Sequence, residues 1–144
     1  MFRETASQIV LGLIFVTVAF AWWKGGRPER IGSLFNAILT IGAVVFQVLT
    51  HKAFGTMPIL IGDGLLATGF LILAFRYASL WLAAAMVLQA ASFLIHASLL
   101  MNLLPTHRSY YAAMNILGAL VMLVILLGTA GAWYRRTHTR SAIA

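Results

Sequence analysis

The sequence predicts an all-α fold: a multi-pass transmembrane bundle of five spanning helices, up and down, in a single domain over residues 1–144. Three observations carry that expectation. The chain is 62% hydrophobic and 9% charged, with a mean hydropathy of +0.95, whereas a soluble domain is nearer half apolar and a quarter charged. Its apolar residues gather into five runs close to the length of about 20 residues that a spanning helix needs. The links between those runs are short, which forces neighbouring helices to run antiparallel.

The first helix is expected over about 7–23, from Ser7 to Trp23, and is the shortest. Its outline also fits a secretory signal, with Ala19-Phe20-Ala21 as a small-residue cleavage pattern. The stretch before it is only weakly basic, because Glu4 offsets Arg3, so a retained span is the expectation. Gly25-Gly26 and Pro28 break the chain before the second helix, expected over 31–50. The third is expected over 58–75, with Pro58 in the first turn, where its missing N–H costs nothing. The fourth is expected over 80–104, stopped by Pro105, and the fifth over 111–134, followed by a basic tail.

Charge orients the bundle. With five spans, Lys24, Arg27, Arg30, Arg76, Arg135, Arg136 and Arg140 fall on one side, and Arg3, Lys52 and Arg108 on the other. The positive-inside rule assigns the first group to the cytoplasm, with the amino terminus outside, as in an inner (plasma) membrane protein. Trp22, Trp23, Trp81, Trp133, Tyr134 and Tyr77 fall near the inner boundary, and Tyr110 and Tyr111 near the outer one, as aromatic belts.

Composition also excludes. No polar stretch reaches domain length, so no separate soluble domain is expected. With no cysteine the chain has no disulfide, no iron–sulfur cluster and no thiolate metal site. The formal charge of +7 sits in links and tail, a topology signal, and no nucleic-acid partner is expected. The expected partners are the lipid bilayer and other membrane subunits or a second copy of the chain. Ser-His-Asp spacing, paired carboxylates and a His-x-x-x-His pair are all missing, so enzyme chemistry has little support.

The chain has three acidic residues, and Asp63 is the one inside an apolar run. An ionisable group at membrane depth costs several kcal/mol unless paired or hydrated, so Asp63 marks a polar knot or a functional site. Helical spacing places Gln89, Ser92 and His96 on one face of the fourth helix, and Asn36, Thr40, Gln47 and His51 in one stripe of the second. On the fifth, Asn115, Gly118, Met122 and Thr129 lie roughly in line. At about 1.5 Å rise per residue, Asp63, His96 and Asn115 fall within about one turn of a common plane. The expected cluster is Asp63, His96, Asn115, Ser92 and Gln89, with an Asp63–His96 contact whose hydrogen bonds Asn115 or Ser92 completes.

Such clusters also serve simply to hold helices together, each bond contributing about 0.6 kcal/mol. Gly62, Gly64 and Gly69 are expected to allow close backbone approach, and Gly128 and Gly131 to loosen the end of the fifth helix. His51 and His96 approach one side of the bilayer, where facing imidazoles can hold haem b, although their depths differ by roughly two turns. The leading functional expectation is a non-catalytic structural or accessory subunit of a homo- or hetero-oligomeric membrane complex. The alternatives are a small proton- or ion-coupled transporter or channel using Asp63 and His96, and a haem b- or quinone-binding membrane anchor.

Overall fold

The computed structural model describes residues 2–50, 57–101, 103 and 107–141. Five helices follow one another: α1 (Phe2–Lys24), α2 (Arg27–Leu49), α3 (Met57–Tyr77), α4 (Leu80–Leu100) and α5 (His107–Ser141). In lipid no water is available to satisfy backbone N–H and C=O groups, and a helix satisfies them within itself. α2, α3, α4 and the Ala112–His138 part of α5 are each long and apolar enough to cross a membrane, and Gly12–Lys24 of α1 is a shorter apolar helix.

The helices form a closed ring in chain order. Each packs against its neighbours in sequence, and α5 closes the ring by packing on α1; α2 and α5 also touch across it. Two apolar clusters fill the interior. Leu66 and Phe70 from α3, Leu82 and Ala85 from α4, and Val121 and Ile125 from α5 make the larger one. Ile14, Ala37 and Met122 join α1, α2 and α5. The outside is broadly apolar, with Phe75 83% and Leu80 90% exposed, a surface suited to acyl chains.

Several boundaries differ from the expected ones for identifiable reasons. α2 starts at Arg27 rather than Ile31, because Pro28 fits a first turn and Glu29 Oε2 accepts the Gly26 N–H at 2.7 Å. Glu29, read from sequence as a link residue, is therefore helical and buried. α4 stops at Leu100, short of Leu104, with the Met101 N–H bonded to the Ala97 carbonyl. α5 begins before Tyr111 and continues past Tyr134 to Ser141. That extension carries Arg136 back over the α1–α2 link: its Nη1 donates to the Gly25 carbonyl at 3.4 Å, and its Nη2 lies 3.9 Å from Glu29 Oε2.

One aromatic assignment near the basic end also changes. Trp22, Trp23, Trp133 and Tyr134 are exposed near the basic end, and Lys24 Nζ lies 4.5 Å above the Trp23 ring. Trp81 is not a belt residue. Its indole wedges into the core, so close that a Cβ at Gly128 would stand 2.5 Å from it. Gly128 thus makes room for a side chain rather than loosening α5. The close approach at Gly69 is likewise made by the Phe35 ring, while Gly62 and Gly64 have only ordinary neighbours.

α3 and α4 are joined by Ala78 and Ser79 alone. Ala78 has φ 46°, the left-handed region that costs an L-residue with a Cβ roughly 1–2 kcal/mol. So tight a link holds α3 and α4 side by side along their lengths.

Candidate functional site

Helix ends set the heights of the polar residues. Asp63 stands six residues from the start of α3, His96 four from the end of α4 and Asn115 eight from the start of α5. At about 1.5 Å per residue these are depths of roughly 9, 6 and 12 Å, still within about one turn of each other. All three line one cavity of about 540 Å³ in the half of the ring away from the basic end. Every helix contributes to its wall: Leu13 from α1, Asn36 and Thr40 from α2, Ile59 and Asp63 from α3, Gln89, Ser92 and His96 from α4, and Tyr110 to Met122 from α5.

Asp63 is 8% exposed and His96 3%. His96 Nδ1 lies 2.8 Å from Asp63 Oδ2 and 3.0 Å from the carbonyl oxygen of Ser92, one turn earlier on its own helix. Both neighbours are acceptors, so Nδ1 carries a hydrogen. The Ser92 carbonyl receives it in line, and Asp63 Oδ2 touches the ring without a directed donor. Nε2 is the ring nitrogen left for the cavity that His96 lines. Tyr110 packs edge-on against the imidazole, with centroids 5.5 Å apart. It is buried, and so belongs to the site rather than to an outer aromatic belt.

The hydrogen bonds around Asp63 are not those expected from spacing. Gln89 Nε2 donates to Asp63 Oδ1 at 2.6 Å, a short charge-assisted bond in a buried setting. Ser92 serves through its backbone carbonyl, while its Oγ donates to Met114 Sδ at 3.8 Å. Asn115 lines the cavity but is exposed and makes no hydrogen bond to the pair among the described residues. Gln89 wins because it lies on α4, which packs tightly along α3, and its amide reaches away from the basic end to the carboxylate.

The α2 stripe divides. Asn36 is buried and donates to Met122 Sδ at 3.8 Å; Thr40 lines the cavity; Gln47 is half-buried and outside the cavity wall. His51 lies outside the described residues, so the two-histidine haem arrangement rests on a residue beyond them. Among the described residues, three His, Asp or Glu side chains nowhere gather as a metal-ion site would require. On α5, Gly118 and Met122 line the cavity, and Thr129 is fully buried nearer the basic end, its hydroxyl donating to the Ile125 carbonyl at 2.8 Å.

The same face of α2 carries a feature that sequence reasoning missed. Glu29, Ser33 and Asn36 are all buried, at helical spacings of four and three, so polar side chains line that face from the basic end up to the cavity. The available signal was the Gly26-x-x-Glu29 pattern after Pro28, which marks a helix start rather than a link.

These helices and this cavity define the class: a small multi-pass membrane protein with a polar pocket inside its bundle. The chain matches no protein-family model, no curated protein and no solved structure, so the pocket's chemistry is read from its own geometry.

Proposed function

We propose that this is a proton-coupled carrier working at Asp63 and His96. The supporting observation is the carboxylate–imidazole contact on the wall of a cavity to which all five helices contribute. Helices held only by packing and hydrogen bonds would close on such a pair, whereas this one faces a space of ligand size. Asp63 and His96 can each take or give a proton, and Asp/His pairs inside membranes mark proton and ion pathways. In this reading the basic end faces the cytoplasm, the amino terminus lies outside, and residues 1–144 form one unit in an inner membrane. Alternate opening of the ring to the two sides moves the ligand. The purified chain in proteoliposomes tests this: an imposed pH gradient drives proton flux that Asp63→Asn abolishes. Wild-type flux no greater than that of empty vesicles, or flux left unchanged by Asp63→Asn, refutes it.

A second reading, an accessory subunit, draws on a different observation. An apolar groove of about 480 Å³ opens between α2 and α3, floored by Gly42, Ala43 and Gly62, where small residues let another helix approach. Migration on a native gel from unmodified membranes tests it. A discrete complex at fixed stoichiometry supports the subunit role, and a lone monomer removes it.

A further inference from the structure

We infer that the ligand of the Asp63–His96 cavity is a monovalent organic cation, an amine with an apolar body, which enters in exchange for the site's one labile proton. The inference rests on the carrier reading and gives its substrate class.

His96 Nδ1 faces the Ser92 carbonyl and the Asp63 carboxylate, both acceptors, and its hydrogen is engaged there. One further proton, on Nε2 or on the Asp63 carboxyl, makes the site neutral. Its removal leaves one net negative charge, which a bilayer interior disfavours unless a cation takes its place. Among the described residues that line the cavity none is Lys or Arg, so these supply no fixed counter-charge. Among the described residues of the cavity wall the titratable groups beside Asp63 are His96 from α4 and Tyr110 from α5; α1 and α2 present Leu13, Asn36 and Thr40, which are uncharged.

The geometry then selects among cations. The Asp63 carboxylate, its Oδ2 held 2.8 Å from His96 Nδ1 without a directed hydrogen bond, is the strong acceptor in the wall toward which an ammonium N–H is drawn. A bare metal ion needs several oxygen ligands to replace its water shell, and no acid or histidine cluster of that kind occurs among the described residues. An amine needs only one strong acceptor and an apolar seat for the rest of the molecule. Met114, Met122, Val121 and Ile59 provide that seat, and Tyr110 adds an aromatic ring able to meet a cation. The volume of about 540 Å³ suits a small organic molecule. An anion would meet the carboxylate and be repelled. The exchange balances: one ammonium enters, one proton leaves, and the net charge of the site is unchanged.

The experiment is calorimetric titration of the full chain in nanodiscs with phenethylamine and with its neutral analogue 2-phenylethanol, in buffers of different ionisation enthalpy. The amine is expected to bind at least about tenfold more tightly than the alcohol, as a charge-assisted bond implies. About one proton is released per amine wherever the empty site begins protonated. Asp63→Asn removes both the preference and the release. Should that variant fail to fold, proton release from the wild-type chain still decides. Equal binding of amine and alcohol, or amine binding without proton release at every pH from mildly acid to mildly alkaline, overturns the inference. Asp63-dependent proton flux without amine binding overturns the ligand class alone; loss of both overturns the carrier reading as well.

Discussion

Replacing Gln89 with Leu isolates the strongest bond in the site. The change removes the 2.6 Å amide donor to Asp63 Oδ1 and leaves the carboxylate touching His96, with neither oxygen receiving a directed hydrogen bond. A hydrogen bond to a charged group contributes about 1.5–3 kcal/mol in water-soluble proteins. Interhelical bonds in lipid average about 0.6 and reach about 1.7 kcal/mol, because the unpacked helices find other partners. The short distance and the burial place this bond at the upper end, so Gln89→Leu should cost about 1–2 kcal/mol, a factor of roughly 5–30 in the folding equilibrium. The Asp63→Leu/Gln89→Leu double variant removes donor and acceptor together and leaves His96 Nδ1 bonded to the Ser92 carbonyl. It should cost less than the sum of the two single changes, with a coupling energy of about 1–2 kcal/mol. The assay is reversible unfolding in mixed micelles, followed by helical circular dichroism. Additive single changes, or a silent Gln89→Leu, would refute the claim that this bond stabilises the carboxylate.

The other structural predictions concern the opposite end and the links. Gly128→Leu pushes a branched side chain into the Trp81 indole, and a loss of about 1–3 kcal/mol is expected from overpacking, read as a lower thermal midpoint in detergent. Ala78→Gly removes the Cβ that costs roughly 1–2 kcal/mol at φ 46° and should leave stability unchanged or raised, whereas Ala78→Val adds β-branch crowding there and should lower it; the pair compared by thermal unfolding separates strain from loss of packing. Glu29→Ala removes the acceptor of the Gly26 N–H and should cost about 0.5–2 kcal/mol, with faster hydrogen exchange at the first turn of α2 as the readout.

The bundle was legible in the sequence because lipid imposes one simple rule, an unbroken apolar run of spanning length. The common height of Asp63 and His96 was legible too, since rise per residue is a constant of the helix. What escaped was rotation. Spacing shows which residues share a face but not which face meets which neighbour, so Asn115 and Ser92 looked able to serve Asp63, and Gln89 entered only as a member of the wider cluster. Packing decided for Gln89, because the two-residue link holds α3 along α4. Tyr110 and Trp81 were misplaced for a related reason. Both lie near helix ends, where aromatic residues usually float at the interface, and only the tertiary gaps beside His96 and Gly128 draw them inward.

The two-residue connection between α3 and α4 also bears on how the chain is made. The partners of Asp63, Gln89 and His96, are all on α4, the next helix to leave the ribosome. A carboxylate crossing into the bilayer by itself would be costly; one folded against its successor as a hairpin arrives already sheltered. The acidic residue therefore needs neither the first two helices nor the last to be tolerated during insertion. Cutting the chain after α4 should still yield an inserted fragment, whereas lengthening the Ala78–Ser79 turn should delay that step and expose nascent chains to quality-control proteolysis.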